Sequence, residues 1–114
     1  MTTYRVGDLV SIEFPFSDLN TKKRRPGLVL LSNSMDVVVA RITTHPPRDP
    51  SDIVIHHWAH IGLPRASTIR LTKLATIDQR LVHHLIGHLH QEDSQAVANT
   101  WQQISASIVT ALQT

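Results

Sequence analysis

Four consecutive cations, Lys22, Lys23, Arg24 and Arg25, stand directly before Pro26 in a chain of 114 residues whose formal net charge is only +2. Cations in such a run suit a phosphate-bearing partner, because a guanidinium stays charged and its planar fork matches two phosphate oxygens. The plain alternative is a solvated loop that keeps a hairpin soluble. The wider charge distribution favours a polyanion: Arg5, Arg41 and Arg48 also lie in the first half, Arg65, Arg70, Lys73 and Arg80 follow, and no Lys or Arg comes after Arg80. The eight histidines are the other candidates for chemistry. His56-His57-x-x-His60 and His83-His84-x-x-x-His88 have spacings that a metal could use. Neither has a cysteine beside it, and no Glu lies between His84 and His88 as a zinc-hydrolase helix requires. Surface and partly buried imidazoles are therefore expected, with no metal site and no cofactor.

Strands must hold the basic run. Leu9–Phe16 and Gly27–Leu31 are rich in β-branched and aromatic residues and bounded by turn formers, which predicts two strands joined by the basic loop. In the first, Leu9, Ser11 and Glu13 share one face and Val10, Ile12 and Phe14 the other. Pro26 has no backbone donor and belongs at the start of the second strand, with Arg25 at the junction. Met35–Thr44 predicts a third strand, in which Val37, Val39 and Arg41 share a face opposite Val38, Ala40 and Ile42. The three prolines in residues 45–52 mark a semi-rigid loop, Ile53–Ile55 a short strand, and residues 67–78 a longer one. From Asp78 the period changes: Leu81, Val82, Leu85, Ile86 and Leu89 predict a helix capped by Asp78 and weakened by Gly87. A second helix starting at Asp93 or Ser94 would carry Val97, Trp101, Ile104, Ile108 and Ala111 or Leu112 as a narrow apolar stripe, with Trp101 in the core.

Composition sets the outer limits. A hydrophobic fraction of 41% is ordinary for one small domain. The absence of cysteine suits a reducing compartment, Met1–Val10 has no signal-peptide core, and no apolar run approaches a membrane span. A cytoplasmic, membrane-free chain is expected. With two Trp, one Tyr and two Phe, there is no aromatic platform for stacking single-stranded bases. RNA recognition would lean on phosphates and a few pockets.

The stretch GDLVSIEFPFSDLNTKKRRPGLVLL, Gly7 to Leu31, resembles the opening hairpin of the MazF/PemK family of toxin ribonucleases. The Val-rich strand ending in Ile42-Thr43 and the segments Trp58–Leu63 and Ser67–Asp78 are similar to later parts of the same family. The resemblance implies a mainly β fold with C-terminal helices: a small SH3-like antiparallel barrel over about residues 4–78, then a helical tail over about 79–112, in a single domain spanning 1–114. It implies a metal-independent, sequence-specific endoribonuclease acting on single-stranded, mRNA-like RNA, a homodimer, and a cognate antitoxin that covers the groove. Carried over residue by residue, Arg25 takes the phosphate and its transition-state charge. Thr43, with Thr44 as the adjacent alternative, positions the phosphate. Lys22, Lys23 and Arg24 bind RNA, Arg70 is a weaker second cation and Glu13 a proton acceptor. Several members of the family carry Arg-x-Asp where this chain reads Arg70-Leu71-Thr72, so the acid those members have is absent. A non-catalytic nucleic-acid-binding module on the same barrel is therefore the strongest alternative. A gyrase-poisoning toxin is a weaker one, since Ala111–Thr114 replaces the Trp-Gly-Ile end that such proteins use.

Overall fold

The computed structural model describes residues 3–13 and 23–114, so Lys22 and the Phe14–Phe16 end of the expected first strand lie outside the described residues. Strands β1 (Asp8–Glu13), β2 (Arg24–Ser32), β3 (Asp36–Thr43), β4 (Asp52–Ile55), β5 (Ser67–Asp78) and β6 (His84–His88) form one antiparallel sheet in the order β4-β5-β3-β2-β1-β6. The sheet curls into a half-barrel, and helix α1 (Gln91–Leu112) follows it. No helix among the described residues is long and apolar enough to cross a membrane.

Both faces of the sheet are apolar, which is why its strands read as nearly continuous hydrophobic runs. On one face Leu9, Leu28, Ala40, Ile42, Ile69 and Leu71 pack with Leu89 and with Val97 of α1. On the other, Val10, Ile12, Val29, Val37, Val39, Ala75 and Ile77 form a second core against Tyr4 and Val82. The expected alternation in β1 and β3 holds in both cores. Strand β2 begins at Arg24, earlier than Gly27. Pro26 is tolerated inside it because the β2–β3 ladder starts one residue later, at Gly27 opposite Arg41.

The predicted helix after Asp78 is not formed. Asp78 does cap a turn, accepting a hydrogen bond from the Arg80 N–H at 2.9 Å, but the turn is a 3-10 segment, Gln79–Leu81. The chain then runs as β6 along the free edge of β1, with Asp8 opposite His88 and Ser11 opposite His84, so the sheet extends ten residues beyond the expected barrel end at 78. The spacing of Leu81, Leu85 and Leu89 fits a helix, yet Leu81 and Leu85 are exposed. Pairing the open β1 edge satisfies more backbone groups than a short helix with its orphaned ends would. The tail therefore holds one helix, which starts at Gln91 with His90 as its N-cap. Its apolar stripe is buried at Val97 and half-buried at Ile104, while Trp101 is 37% exposed and Leu112 80%.

Gly87 separates the two readings of this segment. A Cβ there would lie 2.4 Å from the Ile61 carbonyl oxygen, so the sheet has no room for a side chain. Gly87→Ala should lower stability by about 1–3 kcal/mol, the scale of overpacking. In a helix the same change would raise stability by about 1 kcal/mol. Urea unfolding of the two proteins measures the sign.

Candidate functional site

One cross-strand row organises the concave end of the sheet. Val10 on β1 faces Gly27 on β2, Gly27 faces Arg41 on β3, Arg41 faces Arg70 on β5, and Arg70 faces Asp52 on β4. Val10 belongs to the second core, so the row continues that apolar face into a polar one. Gly27 brings no side chain between Val10 and Arg41. Two residues further towards the same end, Arg25 on β2 and Thr43 on β3 share this face by alternation. Three guanidinium groups and a hydroxyl thus converge from three strands.

The alignment depends on a break in register. Ala40 faces Leu74 while the next residue, Arg41, faces Arg70, so residues 71–73 bulge out of β5. Without that shift Arg70 would not reach the row. Thr72 lies in the bulge, and its hydroxyl is 3.3 Å from that of Ser51.

The three arginines are not equivalent. Arg70 donates from Nε to Asp52 Oδ1 at 3.4 Å, and its Nη2 lies 3.6 Å from Asp49 Oδ2. The Asp52 side chain is 1% exposed and also accepts from the Arg48 backbone N–H at 2.9 Å. Arg70 is thus neutralised and held. The Nε groups of Arg25 and Arg41 are buried and have no hydrogen-bond partner among the described residues. Burial, and after it the charges of Arg25, Arg70 and Arg48, pushes Arg41 below the usual arginine range. A buried unpartnered donor costs about 1–3 kcal/mol. Two such groups on one face of the sheet, in a field of like charge, carry that cost together.

The remaining predicted residues divide. Thr43 Oγ1 accepts from the His45 backbone N–H at 3.2 Å, leaving its own O–H free to donate elsewhere. Thr44 is exposed beyond the strand end. Lys23 and Arg24 are exposed at the rim. A cleft of about 340 Å³ opens beside them, lined by Arg24, Arg25, Pro26, Leu63, Pro64 and His84 among others. Glu13 points to the opposite face from Ile12 and lies 3.6 Å from His83 Nε2, so it is not brought to the arginines. The carboxylate that does stand near Thr72 is Asp49, which accepts from the Ser51 backbone N–H at 2.8 Å and from its hydroxyl. Those bonds, with the Arg70 charge, hold Asp49 below the usual carboxylate range.

Arg41 and Asp49 escape a reading of the sequence alone. Arg41 looks like a strand residue and Asp49 like part of a proline-rich loop. The available signal for Arg41 is its parity with Val37 and Val39, a charge where the periodicity expects an apolar residue. The histidine spacings do not converge as written: among the described residues, His88 Nδ1 bonds Asp8 Oδ1 at 2.9 Å and His83 faces Glu13.

A family model described as PemK-like, MazF-like toxin of type II toxin-antitoxin system matches residues 5–105. No curated protein matches the sequence. Among solved structures, MazF (Form-I) from Deinococcus radiodurans superposes with a TM-score of 0.72 at 17% identity, covering 93% of this chain and 99% of that one. The MazE-MazF complex (Form-II) from the same organism gives 0.70 at 17%, covering 91% and 96%. An endoribonuclease in complex with its cognate antitoxin from a Mycobacterial species gives 0.65 at 14%, covering 83% and 87%. At these identities the structural likeness is one of fold.

The unequal pairing of the arginines has opposite consequences for stability. Arg70→Met strands the buried Asp52 carboxylate and should cost about 3–5 kcal/mol. Arg41→Met removes an unpartnered buried donor and should leave stability unchanged or raise it by about 1 kcal/mol. Urea midpoints of the two variants check both signs.

Proposed function

This chain belongs to the PemK-like, MazF-like toxin family of type II toxin–antitoxin systems, and from that premise we propose that it is an endoribonuclease that cleaves single-stranded RNA at a phosphate held between Arg25 and Arg41. The observation that carries the reading is the pair of buried, unpartnered Nε groups on one face of the sheet. They are donors with no partner among the described residues, held where an anion would complete them.

Cleavage needs an RNA 2′-hydroxyl to attack the adjacent phosphorus. The new 2′-O–P bond forms, the P–O5′ bond breaks, and the products are a 2′,3′-cyclic phosphate and a 5′-hydroxyl. Arg25 and Arg41 hold the non-bridging oxygens and meet the charge that grows on them in the transition state. Thr43 donates a further hydrogen bond that orients the phosphate. Arg70 acts as a strut, because Asp52 and Asp49 already satisfy its charge, and the second-cation role passes to Arg41. Lys22, Lys23 and Arg24 extend the contact along the RNA backbone. The cleft beside Arg24 and Arg25 can take a neighbouring base and supply sequence preference. Two fixed guanidinium charges do the work of a Lewis acid, so the reaction requires no metal.

Asp49 is the proton acceptor that best fits this arrangement. It lies in the loop beside Thr72 and Arg70 and is ionised throughout the physiological range, although its lowered pKa makes it a weak base. The leaving 5′-oxygen takes its proton from solvent. A non-catalytic RNA-binding module on the same face is the second reading, favoured by the Thr72 replacement of the family acid. Incubation with long RNA in EDTA, reading product ends, decides between them. Arg25→Ala should lower cleavage by at least about 100-fold in a folded protein, as loss of one transition-state donor does. Asp49→Asn should remove the acidic limb of the pH–rate profile. Binding without cyclic-phosphate ends in the parent chain would make the module reading correct.

The same family reading supplies partners. An apolar groove of about 530 Å³ runs between α1 and the sheet, lined by Val6, Leu30, Leu31, Val38 and Trp101 among others. Leu31 is 63% exposed there. An apolar opening of this kind suits a second copy of the chain, and we assign it to the homodimer contact. The cognate antitoxin is then the partner that covers the arginine row and stops cleavage when added. Leu31→Lys should sediment as a monomer where the parent chain sediments as a dimer.

A further inference from the structure

At the other end of β4 from Asp52, a second set of side chains converges. Strand β4 ends at Ile55, His56 and His57 follow it, and α1 begins with His90 as its cap. The Asp93 carboxylate, in a residue only 1% exposed, accepts the backbone N–H groups of His56 at 2.9 Å and His57 at 3.0 Å. That double bond pattern ties the loop after β4 to the first turn of the helix. It also sets the His57 ring over that of His90, with centroids 3.6 Å apart and planes 19° from parallel. His57 Nε2 lies 3.5 Å from Glu92 Oε2. One donor atom from each of His57, His90 and Glu92 falls within 4.8 Å of the others.

We propose that His57, His90 and Glu92 form a binding site for a divalent first-row transition ion of the Zn²⁺ class, which clamps the β4–β5 loop to α1. The donor set decides the class. Two neutral imidazoles and one carboxylate suit Zn²⁺, Ni²⁺ or Cu²⁺, whereas Mg²⁺ seeks oxygen ligands and keeps its waters. Zn–N and Zn–O distances of about 2.0–2.2 Å bring tetrahedral donors to about 3.3 Å from one another. The three groups must therefore close slightly. The Glu92 side chain is 77% exposed and can swing on its own torsions, and the two rings must turn out of their stack so that an in-plane lone pair of each meets the ion. Water fills the fourth position. Asp93 accepts the His57 backbone N–H and so fixes where that residue's main chain sits.

Two costs have to be met. The His90 Nδ1 accepts the Glu92 backbone N–H at 3.1 Å and so caps the helix. A neutral imidazole has one nitrogen lone pair, so an ion at either nitrogen ends that bond. A dication beside a helix N-terminus also opposes the helix dipole. The carboxylates of Glu92 and Asp93, both in the first turn, offset the second cost. Coordination of the ion takes the place of that one cap. Zinc binding here is independent of the RNA reading, since the ligands are not among the arginine-site residues.

The test uses the full chain stripped with a chelator and dialysed free of it. Calorimetric titration with ZnCl₂ should give about one ion per chain and a raised Tm, with no response to MgCl₂. His57→Ala should weaken Zn²⁺ binding by roughly tenfold or more, and so should His90→Ser, in which the serine hydroxyl can still cap the helix. Both variants should lose the Tm response. Absence of stoichiometric binding in the parent chain overturns the proposal. So does undiminished binding in both variants, which would give the ion to His56, His60 or the β6 histidines instead.

Discussion

Arg70 donates to a carboxylate, Asp52, that has almost no contact with solvent, and this pair sits at the end of a row reaching through Arg41 and Gly27 to Val10. Like charges stacked across neighbouring strands repel, and three guanidiniums on one face would splay β2, β3 and β5. Asp52 removes one of the three charges from that balance and fastens β4 to β5 at the same time. What remains is a controlled excess: Arg25 and Arg41 have Nε groups without a hydrogen-bond partner among the described residues. The ion pair thus makes the arginine site tolerable, and its desolvated carboxylate explains why neither partner can be removed alone.

The site conflicts with stability, and the scaffold around it absorbs the conflict. Apolar cores lie on both faces of the sheet, and the side chains of Leu9, Val10, Ile12 and Ile69 are fully buried. Each such side chain contributes about 1.5–3 kcal/mol through burial. That reserve holds a strand end on which two buried donors are left unpaired. The bulge at residues 71–73 belongs to the same compromise. It interrupts the β3–β5 ladder and in return turns Arg70 into the row and sets Thr72 against the loop that carries Asp49.

The second end of β4 follows a different logic. There a single buried carboxylate, Asp93, ties the loop after β4 to the helix through two backbone bonds, and the histidines stack because of that tether. The β4 strand thus lies between an acidic anchor for the arginines at Asp52 and a helix anchor at the residues that follow Ile55. Strand β6 completes the opposite edge by pairing with β1, and the groove beside α1 opens where the helix stripe moves away from the sheet.

Local periodicity made the first three strands legible. Alternation in Leu9–Glu13 and Val37–Ile42 showed which side chains share a face, while Arg25 and Thr43 were singled out by the family resemblance. The charge run before Pro26 drew attention to the start of β2. Long-range pairing decided the rest. Arg41 joins the site because Gly27 lies opposite it and because a three-residue shift in β5 brings Arg70 alongside, and neither relation leaves a trace in nearest neighbours. The segment 84–88 is too short to distinguish a helical from a strand period, so the open β1 edge and the Ile61 carbonyl above Gly87 chose the strand. His57 and His90 are far apart in the chain and share no motif; Asp93 brings them together. Periodicity is a property of neighbours along the chain, whereas register, bulges and convergence depend on which distant backbone groups find partners, and that is settled only in the folded sheet.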